Sequence, residues 1–441
     1  MSDTLVTQIT DAAYKAREAS TRLVHFSAQQ RNQALLAVAS HIEANAEAII
    51  TANSLDLKEA AQAVNSGTMS PALFNRLKLD QPKLDGLVTG IRQLATLPDP
   101  VGALTMAREL DEGLTLYKQT CPIGVVLIIF ESRPDALPQI VSLLIKSGNA
   151  GLIKGGKEAR HSIQALFTTI MTALSTAGYP AEAFALLSSR EEVNSLMKLD
   201  NVIDLVIPRG SNELVRQIQT ATRIPVLGHA EGICHIYVDA DADQHKALRI
   251  CSDAKCQYPS ACNSAETFLI HKDLAAQFLP KLISCLQELK VEVRCQTADI
   301  EALALKGVQT ATQLDWSTEY CDLIVSVKVV DSLEEAIAHI NKYGSRHTDA
   351  IVTERKQAFE QFAAEVDSAG VYWNVSTRFA DGFRYGFGAE VGISTSKLHP
   401  RGPVGVDGLV TYKYKLIGNG QVVGDYASAT GRQFKHRDLP F

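Results

Sequence analysis

The amino-acid sequence predicts an α/β protein with two units in which strands alternate with helices. From Pro122 onward, short apolar runs alternate with longer amphipathic stretches of helical length, a pattern typical of a parallel sheet covered on both faces. A second region of the same kind extends from residue 233 to about 395. Before Pro122, residues 5–65 show helical periodicity instead. A helical array is the alternative, but its internal repeat is not visible.

Each element follows from a local pattern. Ser27 is a suitable N-cap for a helix over residues 28–46, whose apolar positions recur at helical spacing. Short apolar runs predict strands in the first region at 125–130, 151–153, 184–187 and 202–207, and in the second at 233–238, 267–270, 323–330, 350–353 and 371–374. Residues 410–415 alternate as an edge strand does, and we expect 116–119 to pair with them. Such a protruding pair serves subunit contacts or forms an ordinary surface hairpin.

Composition excludes several classes of protein. The 441 residues carry a formal net charge of −6, so there is no basic excess for a nucleic-acid backbone. The longest apolar run, 123–130, is too short to span a bilayer, and the N-terminus lacks the layout of a signal peptide. Eight cysteines without a CxxC pair predict free thiols in a reducing, cytoplasmic compartment rather than a disulfide framework.

Two glycine-containing turns could bind phosphate groups. The segment Gly151-Leu-Ile-Lys-Gly-Gly-Lys-Glu158 matches the phosphate-loop pattern, but a glutamate stands where Mg²⁺ needs a hydroxyl. The remaining feature is a strand that ends in Lys154, followed by a Gly-Gly turn and Lys157 at a helix start, which suits a phosphate or a ribose. Gly210 and Ser211 follow another apolar run and could hold a pyrophosphate. Each turn alone is also compatible with an ordinary solvated turn or helix start.

Cysteines cluster between residues 234 and 262, but no pair has the spacing of a zinc site, and we expect no metal. Cys262 differs from the others because it stands in the small, polar segment Pro259-Ser-Ala-Cys-Asn-Ser264. A turn of this kind leaves a thiol reachable and surrounded by backbone amides, which favour a thiolate and stabilise an oxyanion. A buried structural cysteine is the alternative on these residues alone.

Together, several blocks of sequence resemble the γ-glutamyl phosphate reductases, or glutamate-5-semialdehyde dehydrogenases, of the aldehyde dehydrogenase superfamily. The resemblance covers nearly the whole chain up to about residue 425. Its most specific blocks are Phe130-Glu-Ser-Arg-Pro134, Lys146-Ser-Gly-Asn-Ala150, Gly155-Gly-Lys-Glu-Ala159, Pro259-Ser-Ala-Cys-Asn-Ser-Ala-Glu-Thr267, His347-Thr-Asp-Ala350 and the stretch 388–402. The resemblance implies an aldehyde-dehydrogenase-like fold, with two Rossmann-like α/β domains and a small β-hairpin oligomerisation element.

The same resemblance implies the division of the chain. Residues 1–104 and 122–228 would form the NADP-binding domain, and residues 229–397 the catalytic domain that carries Cys262. Residues 105–121 and 398–441 would form the oligomerisation element and the tail.

The family's chemistry gives Cys262 the role of nucleophile. Its thiolate would attack the acyl phosphate of L-glutamyl 5-phosphate, and NADPH would reduce the resulting thioester to the semialdehyde, a step of proline biosynthesis. The backbone N–H of Cys262 would be one oxyanion donor, with Ser132 or Asn263 as the other. This chain departs from the superfamily at Ser132, where relatives place an asparagine. It also lacks the Glu-Leu-Gly-Gly-Lys segment with which oxidising relatives activate water, although Glu231 or His229 could still assist proton transfer.

Binding residues follow from the same resemblance. Lys154 would contact the adenosine ribose, Lys157 the 2′-phosphate of NADP, Gly210 and Ser211 the pyrophosphate, and Glu319 the nicotinamide ribose. Charge and position, rather than a firm motif, suggest substrate contacts for Arg133, Arg378 and Arg401.

The resemblance also implies a homo-oligomer with a small-molecule substrate. It leaves open a glutamate 5-kinase partner that hands over the labile acyl phosphate. Two alternatives to this function remain. One is another acyl reductase or aldehyde dehydrogenase of the same fold, and the other is a non-catalytic nucleotide-binding scaffold.

Overall fold

The computed structural model describes residues 3–131, 133–210, 212–228, 231–397, 399–427 and 431–441. Ser132, Ser211 and His229, which the sequence singles out, lie outside these residues. The architecture is α/β, with two parallel sheets and an antiparallel sheet. The predicted fold class is therefore confirmed.

Helices precede the first sheet: α1 (Asp3–Leu23), α2 (Ala28–Ala44), α3 (Ala46–Asn65), α4 (Pro71–Leu77) and α5 (Gln81–Thr96). The predicted N-cap is confirmed, because the Ser27 hydroxyl accepts from the backbone N–H of Gln30, whose side chain in turn accepts from Ser27. The predicted helix over 28–46 is too long at its end. The chain leaves helical geometry at Asn45 and starts α3 immediately afterwards.

The first parallel sheet has the strand order β5-β4-β3-β6. Its strands are β3 (Val125–Phe130), β4 (Ala150–Lys154), β5 (Phe184–Leu187) and β6 (Leu205–Arg209), and its helices are α6 (Ala136–Ser147), α7 (Arg160–Thr176), α8 (Arg190–Leu196) and α9 (Asn212–Ala221). Every residue of β3 is buried, as expected for a strand that helices cover on both faces. All four strands predicted here are present, with small shifts at their ends.

The second parallel sheet has the order β10-β9-β11-β8-β7-β12-β13. Its strands are β7 (Cys234–Val238), β8 (Ala265–His271), β9 (Glu292–Cys295), β10 (Gln309–Thr310), β11 (Ile324–Val330), β12 (Thr348–Val352) and β13 (Gly370–Trp373), and its helices are α10 (Gln244–Cys256), α11 (Lys272–Glu288), α12 (Thr297–Ala302), α13 (Leu333–Tyr343) and α14 (Lys356–Glu365). Strands β9 and β10 are not predicted by the sequence pattern, because both are short and rich in polar residues.

The antiparallel sheet has the order β16-β2-β1-β17. Its strands are β1 (Leu104–Asp111), β2 (Leu114–Pro122), β16 (Val410–Ile417) and β17 (Arg437–Asp438). The predicted pairing is confirmed, since Lys413 lies opposite Gln119 and Leu416 opposite Leu116. The tail contributes β17, which extends the sheet beyond β1.

The segment between the second sheet and β16 returns to the first unit. It contains the short antiparallel pair β14 (Ile393–Ser394) and β15 (Gly402–Pro403). Ala389 and Val391 pack in the hydrophobic core of the first sheet and its helices, although the sequence assigns them to the catalytic domain. The reason is that both side chains are small and apolar and lie against the first core. The proposed domain boundary near residue 397 therefore does not coincide with a boundary between cores.

Candidate active site

Cys262 lies in the turn between α10 and β8, at the N-terminal edge of the second sheet. The turn is held by hydrogen bonds from the Ala261 N–H to the Tyr258 carbonyl (3.2 Å) and from the Ser264 N–H to the Ala261 carbonyl (2.9 Å). The backbone at Gly232 runs directly against it, because a Cβ there would lie 2.1 Å from the Cys262 carbonyl oxygen. Only glycine fits this close approach. The thiol itself is half-buried, and it can therefore be reached by a small molecule.

His347 is in contact with the thiol. Its Nε2 lies 3.3 Å from Cys262 Sγ, and its side chain is fully buried at the start of β12. His347 Nδ1 lies 2.9 Å from Thr348 Oγ1 and 3.7 Å from Cys234 Sγ. The Cys234 thiol donates to the Cys262 carbonyl oxygen at 3.4 Å. Sequence reasoning noted His347 only within a matching block and gave it no role, because nothing local links it to a cysteine 85 positions away.

Asn263, a predicted oxyanion donor, makes a different contact. Its side-chain amide is buried and donates to the Ala380 carbonyl at 2.8 Å. Its backbone carbonyl accepts from the Thr377 hydroxyl at 2.7 Å. Both bonds tie the Cys262 turn to the segment that follows β13. The structure thus shows a positioning contact for Asn263, and the oxyanion role stays a prediction.

Guanidinium groups surround Cys262. Burial lowers the pKa of Arg209, at the end of β6, and the neighbouring Arg133 adds to this effect. The charges of Glu390 and Cys262 oppose it. Burial also raises the pKa of Glu390 to about 7, against the effect of Arg209. These interactions bring the C-terminal edge of the first sheet to the N-terminal edge of the second. The sequence blocks assign no role to Arg209 or Glu390, although shifted pKa values such as theirs are a common signature of a functional site.

The three predicted substrate arginines have distinct environments. Arg378 is buried, and its guanidinium donates to the Gln257 side chain at 2.9 Å. Burial lowers the pKa of Arg378, and the interaction with Cys262 partly offsets this effect. Arg133 is exposed and pairs with Asp135 at 3.4 Å. Arg401 pairs with Asp367 at 3.0 Å. Arg378 thus interacts with Cys262 and Arg133 with Arg209, whereas Arg401 is held in a separate ionic cluster.

A cavity of about 250 Å³ lies between α5 and α6, and we refer to it as the α5–α6 cavity. Asp135 and Gln139 line it on α6 and the turn before it, and the ring of Phe383 packs over Gly90 of α5. The Ser142 hydroxyl, also in its wall, is buried and has no hydrogen-bond partner among the described residues. Asp135 in the wall of this cavity pairs with Arg133, whose charge in turn acts on Arg209.

The chain is similar to proteins of known classification. The profile of the aldehyde dehydrogenase family matches residues 2–306. The gamma-glutamyl phosphate reductase from Cyanothece sp. (strain PCC 7425) is 54% identical to it, over 98% of this chain and 98% of the relative. The gamma-glutamyl phosphate reductase from Methanococcoides burtonii is 51% identical, over 99% of this chain and 98% of the relative. The crystal structure of gamma-glutamyl phosphate reductase from Thermotoga maritima superposes with a TM-score of 0.89 at 37% identity, covering 94% of this chain and 99% of that one.

This chain belongs to the aldehyde dehydrogenase family. The relatives and the solved structure named above are gamma-glutamyl phosphate reductases, the group that the sequence blocks resemble. Enzymes of the aldehyde dehydrogenase family are oxidoreductases that use a nicotinamide cofactor.

Two lysines lie at the end of β4 and just after it. Lys154 is buried, and burial lowers its pKa, partly offset by the Glu158 carboxylate. Its ammonium donates to the Gly155 carbonyl. Lys157 is exposed in the turn that follows. A buried cation beside an exposed one fits a ligand that carries hydroxyl and phosphate groups.

Acidic residues occupy the opposite side of the Cys262 turn. Glu266, in β8, forms a buried ion pair with Lys255 at 2.7 Å. Burial raises the pKa of Glu266 to about 8, and the charge of Glu319 adds to the effect. Glu319 is half-buried close by, as a group that contacts a ligand in this region would be. Glu266 stands in the sequence block 259–267, but that resemblance assigns it no role.

The candidate proton-transfer residues before β7 are only partly described. Glu231 pairs with Arg216 of α9 at 2.7 Å, and His229 lies outside the described residues. Among the residues that the structure describes, no group of His, Cys, Asp and Glu could hold a metal ion. In the same residues, no helix is both long enough and apolar enough to cross a membrane.

Proposed function

We propose that this enzyme reduces L-glutamyl 5-phosphate to L-glutamate 5-semialdehyde and phosphate with NADPH, through a thioester on Cys262, in proline biosynthesis. The observation that carries the proposal is the half-buried Cys262 thiol with a histidine nitrogen 3.3 Å away, in a chain 51–54% identical to gamma-glutamyl phosphate reductases. A thiol activated by a neighbouring base is the arrangement needed for covalent acyl transfer.

The chain's own residues account for each part of the acyl transfer. The sulfur of Cys262 forms a bond to the acyl carbon while the bond to the phosphate oxygen breaks. The backbone N–H of Cys262 stabilises the oxyanion, and we keep Ser132 and Asn263 as alternatives for a second donor. When bound, NADPH supplies the hydride that reduces the thioester carbonyl. The aldehyde then leaves as the carbon–sulfur bond breaks. This sequence needs no hydrolytic water, which is consistent with the pairing of Glu231 to Arg216.

For the cofactor we propose NADP, held by Lys154 at the ribose and by Lys157 at the 2′-phosphate. The exposed position of Lys157 beside a buried cation supports this assignment, because an ammonium group forms strong charge-assisted bonds to phosphate. Gly210 and Ser211, which precede α9 in the sequence, are proposed for the pyrophosphate. Glu319 is proposed for the nicotinamide ribose.

For the substrate we propose that the amino-acid end of the molecule enters the α5–α6 cavity. Asp135 provides a carboxylate for the α-ammonium group, and Arg133, its partner at 3.4 Å, provides a guanidinium for the α-carboxylate. Arg378, in the field of Cys262, suits the phosphate instead. Arg401 is the weaker candidate of the three, because Asp367 already holds its guanidinium.

The test runs the reaction in reverse, because acyl phosphates are short-lived in water. The protein is mixed with the cyclised semialdehyde and NADP⁺, and NADPH absorbance is followed with and without inorganic phosphate. We expect NADPH formation that requires phosphate and falls at least ~10³-fold in Cys262→Ala. Cys295→Ala is the matched control at a buried thiol of β9, and the enzyme should keep most of its activity. Formation of NADPH without phosphate would instead indicate a hydrolytic aldehyde dehydrogenase, and the absence of turnover would contradict the proposed substrate.

We further propose a cytoplasmic homo-oligomer. All eight cysteines are free thiols, which is consistent with a reducing compartment. A kinase that phosphorylates glutamate, such as glutamate 5-kinase, must supply the acyl phosphate, and direct transfer between the two enzymes would protect it from hydrolysis.

A further inference from the structure

Three side chains lie in a row along the N-terminal edge of the second sheet. In that sheet β7 lies between β8 and β12. Cys262 precedes β8, Cys234 is the first residue of β7, and His347 precedes β12. The starts of neighbouring parallel strands meet at one edge, so residues far apart in sequence come into contact there. Of these side chains, that of His347 contacts the nucleophile through Nε2, 3.3 Å from Sγ.

The other ring nitrogen of His347 determines which form of the ring faces the thiol. Nδ1 lies 2.9 Å from Thr348 Oγ1, and the hydroxyl oxygen can accept a hydrogen bond from Nδ1–H. In that tautomer, Nε2 carries a lone pair directed at Cys262 Sγ. The ring is fully buried, so packing on all sides restricts its rotation. The arrangement has the order of an activated nucleophile: thiol, base, and a third group that orients the base.

We propose that His347 is the catalytic base of this enzyme, which removes the thiol proton of Cys262 and passes it to the departing phosphate. The inference rests on the proposed function, since it names the group that activates the proposed nucleophile. It assigns the role to a histidine immediately before β12 rather than to Glu231 or His229 before β7.

The proton balance of the step is complete. Nε2 takes the proton from Sγ, the sulfur–carbon bond forms, and the carbon–oxygen bond to phosphate breaks. The phosphate would leave as a trianion without a proton, and the imidazolium supplies that proton, so that the dianion departs. After reduction and release of the aldehyde, Cys262 remains as a thiolate and takes up one proton from solvent through His347. One proton is thus consumed per turnover, as the overall reduction requires.

Neighbouring groups support transfer between this pair of residues. Burial raises the pKa of Cys234 well above its ordinary value, so its thiol stays protonated and remains a donor to the Cys262 carbonyl. His235, the next residue of β7, is committed to Asp349 at 3.0 Å. The positive charges of Arg209 and Arg378 act on Cys262 from the first unit and from the segment after β13, respectively. Glu266, further along β8, is paired with Lys255.

The experiment measures alkylation of Cys262 by iodoacetamide as a function of pH, with each cysteine peptide quantified by mass spectrometry. In the wild-type enzyme we expect fast alkylation that persists well below the ordinary thiol pKa of about 8.5. In His347→Gln we expect the rate at pH 7 to fall by roughly 10²-fold, the usual contribution of a general base, and to approach the wild-type rate above pH 9. The exposed Cys321 serves as an internal reference whose rate stays unchanged.

The matched control is His339→Gln, which also removes a buried histidine from the second unit but leaves Cys262 alkylation as in the wild type. Equal rates and equal pH dependence for Cys262 in wild type and folded His347→Gln would overturn the proposal. If His347→Gln does not fold, the wild-type profile decides, because a single ionisation at the ordinary thiol pKa contradicts an activated pair. Alkylation requires no substrate, so the failure of the proposed substrate would appear only in the turnover assay.

Discussion

The backbone around Cys262 is more crowded than the surroundings of its thiol. Gly232 is pressed against the Cys262 carbonyl, and Asn263 is anchored at both its side chain and its backbone. The sulfur, in contrast, has His347 on one side and remains half-exposed. Rigid backbone support for a reachable side chain is what precise catalytic geometry requires. Contacts that hold the turn therefore affect the rate without touching the substrate.

Lys157 carries the prediction for cofactor selectivity. In Lys157→Glu we expect NADPH binding to weaken by roughly tenfold or more, because a charge-assisted hydrogen bond contributes about 1.5–3 kcal/mol and the new carboxylate repels the 2′-phosphate. NADH binding should change little. The measurement is the dissociation constant of each cofactor by fluorescence titration, with Lys157→Gln as the charge-neutral control. Equal losses for the two cofactors would contradict the assignment of Lys157.

At the scale of elements, α13 packs a histidine against the second sheet. The ring of His339 lies 5.4 Å from Trp316 and 5.6 Å from His235 between ring centroids. Burial lowers the pKa of His339 to about 3, and the charge of His235 adds to the effect. The neutral ring is therefore stable between α13 and the second sheet. The protonated ring would lack the hydration that a charged group needs, because this position is buried.

His339 predicts the direction of one pH effect on stability. Its folded-state pKa of about 3 is below the unfolded value of about 6.5, so the unfolded chain binds the extra proton between these pH values. The stabilising contribution is complete above pH 6.5 and is lost progressively as the pH falls toward 3. Thermal unfolding of wild type and His339→Gln between pH 8 and pH 4 tests this. We expect the wild type to lose more stability on acidification, and parallel curves would show that His339 is not responsible.

At the scale of the whole molecule, the antiparallel sheet exposes an apolar face. Tyr412, Tyr414 and Leu416 alternate along β16 and are 50%, 60% and 56% exposed. Residues at every second position share one face of a strand, and β16 is the outer strand of the described sheet. Exposed aromatic and aliphatic side chains in a row are typical of a protein–protein interface. This face supports the proposed contact between copies of the chain.

Tyr414→Glu tests that contact. A charge in the middle of the apolar face would be buried in the oligomer without a partner. We therefore expect the dissociation constant of the oligomer to rise by at least ~10²-fold. Sedimentation velocity over a range of protein concentrations measures the change. Lys413→Glu, on the opposite face of the same strand, is the control and should leave the mass unchanged. A wild-type protein that sediments as a monomer would refute the oligomer.

Elements with a local signal could be predicted from the amino-acid sequence. Continuous apolar runs marked the strands of the first sheet, and the hydroxyl of Ser27 marked the start of α2. Small polar residues on either side of Cys262 distinguished it from seven other cysteines, and blocks in a shared order indicated the family. The strands β9 and β10 could not be predicted in this way, because neither contains an apolar run.

Only the tertiary structure decided which residues meet at the site. The strand order β8-β7-β12 brings His347 to Cys262 across 85 positions of sequence, and the packing of one sheet edge against another brings Arg209 to the same place. It also placed the amide of Asn263 on Ala380. The physical reason is that local patterns report burial and backbone conformation, whereas contacts between side chains depend on which strands become neighbours.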